Sequence, residues 1–177
     1  MAGTAAAVVA IEARCIAMPP LLAPDGRVLV LGSMPGAASL AAQQYYAHPR
    51  NLFWPIMGAL FGAGPELPYP RRVAMLAGAG VSVWDVLHSC TRPGSLDSAI
   101  GDEVAHDFAA FLAEQPQITH IFFNGAKAEQ AFRRHALGTL GAAVPHLHRL
   151  PSTSPAHAAK GFAEKLNEWW AVGAAAL

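Results

Sequence analysis

Val28-Leu29-Val30-Leu31-Gly32-Ser33-Met34-Pro35-Gly36 is the stretch from which the fold is read. Four consecutive aliphatic residues without polar alternation suit a strand covered on both faces, as in a parallel sheet. The run then breaks at Gly32. Glycine at both ends of the break lets the backbone turn sharply and approach a ligand, and Pro35 fixes one φ. In open α/β sheets ligands sit beyond the carboxyl ends of the strands. Just downstream, residues 45–53 gather aromatic, polar and basic side chains (Tyr45, Tyr46, His48, Arg50, Asn51, Phe53) in nine positions.

Working outward, apolar runs predict strands over 27–33, 81–86, 118–124 and 144–150. Helical spacing predicts helices from Asn51 or Phe53 to residue 61, over 70–77, over 102–114 and over 127–137. A last helix is expected to be capped by Ser154 with Pro155 in its first position. Residues 88–100, rich in Ser, Thr, Gly and Pro, read as irregular. Strands alternating with helices give an α/β fold, a three-layer α/β/α sandwich around a central four-stranded, mainly parallel sheet. Three loops then converge at one edge: 32–36, Asn124-Gly125 and 151–155.

The chain has 177 residues, enough for one domain with a sizeable core. We expect a single domain over 23–177, preceded by an Ala-rich, loosely ordered leader over 1–22 without the features of a secretory signal. A hydrophobic content of 53% with 14% charged residues excludes a disordered chain. No apolar run approaches the roughly 20 residues of a membrane span, so no membrane association is expected. Cys15 and Cys90 lack zinc-ligand or CxxC spacing, and idle thiols in a reducing, cytoplasmic setting are the expectation. Net charge is zero, which argues against a strongly basic nucleic-acid binder. The distribution is polarised, however: residues 64–115 carry seven acids against three bases, and residues 124–165 six bases against two acids. One basic side suits a polyanion, and solvated helix faces are the alternative.

Five blocks carry a family resemblance: Gly32-Ser33-Met34-Pro35-Gly36; Tyr45-Tyr46-Ala47-His48-Pro49-Arg50-Asn51-x-Phe53-Trp54; Trp84-Asp85-Val86 with Ser95-Leu96-Asp97-Ser98; Phe123-Asn124-Gly125-x-Lys127; and Pro151-Ser152-Thr153-Ser154-Pro155. Over roughly residues 27–170 the chain resembles the uracil-DNA glycosylase superfamily, and within it the hypoxanthine-DNA glycosylase, or DNA-deoxyinosine glycosylase, branch. The resemblance implies a monofunctional enzyme that flips a deaminated base out of DNA and hydrolyses its glycosidic bond. Hypoxanthine is the favoured lesion, and xanthine and uracil are the alternatives. Double- or single-stranded DNA would be the partner, the protein would act as a monomer, and neither metal nor diffusible cofactor is implied.

The same resemblance implies residue roles. Asn51 would aim the attacking water, its other reading being a cap for the helix that follows. Tyr46 would be the stacking platform, and Ser33, Met34, Asn124 and Phe53 would surround the base. Gly36, Arg50, Ser152, Thr153, Ser154, His157 and Lys160 would hold DNA. Asp85 and His48 would act from behind, His48 by anchoring its loop to a backbone carbonyl. Two positions depart from the pattern. Met34, or Ser33 if the register shifts, stands where many relatives place a water-positioning acid or amide, and Leu150 where several place a His or Asn that stabilises the departing base. Both departures favour a different reading, a non-catalytic nucleic-acid or nucleotide binding module on the same fold. The intact 45–51 block favours the enzyme. An esterase using Ser33 fails on the absence of Gly-x-Ser-x-Gly.

Overall fold

The computed structural model describes residues 13–177. In chain order the elements are β1 (Arg14–Ile16), β2 (Val28–Gly32), α1 (Ala37–Ala42), α2 (Phe53–Phe61), α3 (Tyr69–Gly78), β3 (Val81–Asp85), β4 (Leu87–Thr91), β5 (Gly101–Ala105), α4 (Phe108–Glu114), β6 (His120–Asn124), α5 (Ala126–His135), β7 (His146–Leu150) and α6 (Phe162–Ala176). The aliphatic run is β2, and it lies inside a four-stranded sheet of order β3-β2-β6-β7, parallel throughout. Every residue of β2 and β3 is buried, which is why neither alternates. Helices flank the sheet: α6 packs on β2, β7 and α2, and α5 packs on β6 and β7.

Strand order creates the functional edge. The chain passes from β2 to β3 on one side and later returns to β6 on the other, so the connections diverge at the carboxyl ends of β2 and β6. The register brings Gly32 opposite Asp85 and Asn124 opposite Leu150 at that same edge.

Four expectations are corrected. First, part of the expected leader is ordered structure. Arg14–Ile16 pairs antiparallel with β4, the Tyr45 hydroxyl donates to Pro19 O at 2.9 Å, and Leu21 bridges to Val83. Residues 1–12 of that leader lie outside the described residues. Second, the stretch read as irregular contains β4, which with β1 and β5 forms a second, antiparallel sheet. Cys15 and Cys90 stand opposite each other in it as free thiols. Third, the helix expected over 102–114 starts only at Phe108. Its cap is Asp107, whose carboxylate accepts from Ala110 N at 3.0 Å, while residues 101–105 pair with β4 instead. Fourth, the last helix starts at Phe162 rather than at Pro155. The Ser154 hydroxyl accepts from Ala156 N at 3.2 Å in a local turn, and Glu164 closes back on Gly161 N at 2.9 Å to begin α6. Helix α1 was not expected either. Among the described residues no helix is long and apolar enough to cross a membrane.

Candidate active site

A cleft of about 930 Å³ opens at the carboxyl edge of the parallel sheet. That is within the roughly 300–1,000 Å³ usual for small-molecule sites. The turn after β2, the 45–51 loop, the end of β3, residues 95–98, the end of β6 and the 151–157 loop all contribute to its wall. The three loops expected to converge therefore do so, joined by the 45–51 loop, the end of β3 and residues 95–98.

Tyr46 lines this cleft. Its backbone is left-handed, with φ of 54°, an uncommon state for an aromatic residue that concentrates at functional positions. The ring stacks on Phe53 with centroids 4.1 Å apart and planes at 23°. Its hydroxyl is buried without a partner, and burial, with the Asp85 charge next, pushes the phenol upward. Phe53 is fully buried and does not reach the cleft. The expected direct contact of Phe53 with a base is thus corrected. As the first residue of α2, its side chain turns into the core, where it backs Tyr46 and meets Trp169.

Asn51 also lines the cleft. Its Oδ1 accepts from Phe53 N at 2.9 Å, so it does brace the start of α2. One sp² lone pair is used in this way and the second, with the Nδ2 donors, is not consumed by that bond. His48, on the same wall, uses Nδ1 to accept from Arg50 N at 3.1 Å. The loop is therefore pinned through an amide donor, not through a carbonyl as expected. Arg50 is exposed and is not on the cleft wall.

Ser33, Met34 and Gly36 line the cleft from the turn after β2. Ser33 donates its hydroxyl to Asp97 Oδ1 at 2.6 Å, a partner carried on the loop before β5. Arg92 ties the same loop down, donating to Pro35 O at 2.5 Å and to Gly94 O at 3.0 Å. Glycine is required at position 32: a Cβ there would lie 2.5 Å from Asp85 Oδ1 and 3.1 Å from the Tyr46 hydroxyl. Asp85 and Tyr46 thus meet over the end of β2.

Asn124 is a clamp. Its Nδ2 donates to Thr153 Oγ1 and its Oδ1 accepts from Thr153 N, both at 2.9 Å, while Thr153 O accepts from Leu52 N at 3.0 Å. Asn124 also lines the cleft, and the two bonds brace the 151–155 loop. Thr153 is fully buried in this clamp, so its hydroxyl is not a DNA donor as expected. Ser152, Ser154, His157 and Lys160 remain on the wall, with Lys160 paired to Glu168. Leu150 lines the cleft and offers no polar atom from its side chain. A shallower depression adjoins it, lined by Lys127, Arg133, Arg134 and Arg149. That is the basic side foreshadowed by the charge distribution.

Asp85 is the residue whose standing changes most. It lines the cleft at only 3% exposure, and its Oδ2 is buried without a hydrogen-bond partner. Burial, then the Asp97 charge, push its carboxyl up to about 7 against the opposing pull of Arg92. The signal available in the sequence was an acid ending a strand that carries only one other polar residue, Ser82, but its partnerless burial was not visible there. Among the described residues no group of three His, Cys, Asp or Glu side chains is gathered to hold a metal ion.

Comparison with known proteins gives a consistent result. The description "Uracil DNA glycosylase superfamily" matches residues 19–172. A hypoxanthine DNA glycosylase of Methanosarcina acetivorans is 37% identical over 111 residues, covering 62% of this chain and 70% of that protein. One from Methanosarcina barkeri is 33% identical over 111 residues with the same coverage of 62% and 70%. A solution NMR structure from Methanosarcina acetivorans, provisionally named a uracil DNA glycosylase, superposes with a TM-score of 0.76 at 32% identity, covering 91% of this chain and 97% of that one.

Proposed function

The chain belongs to the uracil DNA glycosylase superfamily, and from that premise we propose that it is a monofunctional glycosylase that removes hypoxanthine from DNA. One observation carries this reading: Tyr46 and Asn51 both line a single open cleft at the carboxyl edge of the sheet. The extruded base stacks on Tyr46, whose position is held by Phe53 behind it. Asn51 aims water at the sugar carbon. An amide oxygen is a feeble base, but it suffices where the sugar is already largely cationic in the transition state, so that water needs orienting more than deprotonating. The bond from Phe53 N fixes the plane of that amide in advance. Helix bracing and water positioning are two uses of one side chain.

The 151–157 loop, clamped by Asn124, and the exposed Arg149 grip the strand on either side of the flipped nucleotide. The protein acts on DNA as a monomer. The test is a panel of oligonucleotides carrying hypoxanthine, xanthine or uracil, alone and opposite each base, read by strand cleavage with alkali after single-turnover incubation. The reading predicts alkali-sensitive sites at deoxyinosine above all. Alkali-resistant strands for every lesion would overturn it.

A further inference from the structure

Leu150 lines the cleft without a polar side-chain atom, yet a polar group lies on the same wall. Asp85 Oδ2 is buried with no partner, at the end of β3 and beside Gly32 and the Tyr46 hydroxyl. A carboxylate left unpaired in such a place is costly, and the group is stable there only as the neutral acid or with a ligand. The charged and titratable groups around it come from three elements. Tyr45 and Tyr46 face it from the loop after α1, Asp97 from the loop before β5, and Arg92 from the end of β4. Asp97 favours the neutral form, and Arg92, which donates from Nη2 to Pro35 O and from Nε to Gly94 O and keeps Nη1 unpartnered, opposes it.

Building on the glycosylase reading, we propose that Asp85, as the neutral acid, pairs with the O=C–N–H edge that deamination creates on a base. Its O–H donates to the base carbonyl and its C=O accepts from the adjacent ring N–H. A carboxylate offers two acceptors and would repel the carbonyl. As the glycosidic C1′–N bond breaks, its electron pair passes to the base and negative charge spreads onto that carbonyl oxygen. The Asp85 bond therefore strengthens in the transition state, when it accelerates the reaction. Water adds its oxygen to C1′ and releases a proton to solvent, and the base anion takes one up from solvent. Asp85 keeps its own proton through the cycle.

The consequence is a decline of excision at alkaline pH that belongs to one residue. Burial and Asp97 hold the Asp85 carboxyl up to about 7, so the competent form is present below that pH and is lost above it. Asparagine presents the same donor and acceptor but does not titrate. Single-turnover excision of deoxyinosine would be followed from pH 5.5 to 9 for the wild type, Asp85→Asn and Asp85→Ala. Binding of a non-cleavable 2′-fluoroarabino deoxyinosine oligonucleotide would be followed over the same range.

The wild-type rate should fall about tenfold per pH unit above the midpoint. Asp85→Ala should lose at least about 100-fold at pH 6. Asp85→Asn should lose less than that and show no alkaline decline in rate or in analogue binding. A flat wild-type profile overturns the proposal. So does an Asp85→Asn profile that retains the wild-type decline, or a folded Asp85→Asn no better than Asp85→Ala. A wild type inert on every lesion at every pH is a different result, which refutes the glycosylase reading and removes this inference with it.

Discussion

Tyr46 shows how a single residue is shaped by its task. It is held in a left-handed backbone, its hydroxyl is buried without a partner, and its ring is backed by Phe53. The first two features do not stabilise the fold, and the third makes a rigid platform. Stacking of a base on such a ring is worth roughly 1–3 kcal/mol. Tyr46→Ala should therefore weaken binding of a lesion-containing strand by about 10- to 100-fold. Tyr46→Phe, which keeps the stacking surface and discards only the unpartnered hydroxyl, should lose far less. Fluorescence anisotropy with a non-cleavable lesion analogue distinguishes them, and equal losses in the two variants would remove the platform role. At this scale the sequence was legible in residue type and misleading in orientation. Phe53 and Tyr46 are both aromatic members of one block, yet one faces the cleft and the other the core, because Phe53 already belongs to α2.

Among the elements, the 151–155 loop is held by Asn124, by Leu52 N on Thr153 O and by Trp169 Nε1 on Pro151 O. Asn124, at the end of β6, supplies two hydrogen bonds to Thr153 from one amide. Asn124→Ala leaves a buried backbone N–H without its acceptor, at a cost of about 1–3 kcal/mol. For a chain of this size that lowers Tm by about 3 °C or more. Hydrogen exchange should rise in residues 151–155 first, and unchanged protection there would show that the loop is held by something else. The four strands of the parallel sheet were readable because burial on both faces writes an unbroken apolar run, as in β2. β1, β4 and β5 were not. Their three to five residues carry polar and small side chains, and only pairing with one another makes them strands. The helix predicted over 102–114 failed for a related reason. Val104 continues the spacing of Phe108, Phe111 and Leu112, but residues 101–105 hydrogen-bond to β4 before α4 begins.

At the scale of the molecule, zero net charge coexists with a basic margin along the cleft. Several of those bases are already paired: Lys127 with Glu103, Arg133 with Glu129 at 3.0 Å, and Lys160 with Glu168. Few remain to displace counterions from DNA, so affinity should depend on salt only modestly, with a log–log slope no steeper than about −4. Arg149, 60% exposed in its side chain and 3.4 Å from Glu129, borders both the cleft and the basic depression. Arg149→Ala should weaken binding to all sequences alike and reduce the slope by roughly 1. An unchanged slope would route the DNA elsewhere.

The polarised charge, the four-stranded parallel sheet and the convergence of the three loops were legible beforehand, and the strand order was not. The Asn124–Thr153 clamp and the unpartnered acid at the cleft were not, because each depends on contacts between residues far apart in the chain. In the proposed reaction a base is held against Tyr46 while Asn51 aims water at its sugar carbon. Single-turnover release of hypoxanthine from a deoxyinosine duplex by the wild type and by Asn51→Ala tests it most directly. Excision by the wild type and a rate at least about 100-fold lower in a folded Asn51→Ala are predicted. A folded Asn51→Ala variant within a few-fold of the wild type would contradict the account.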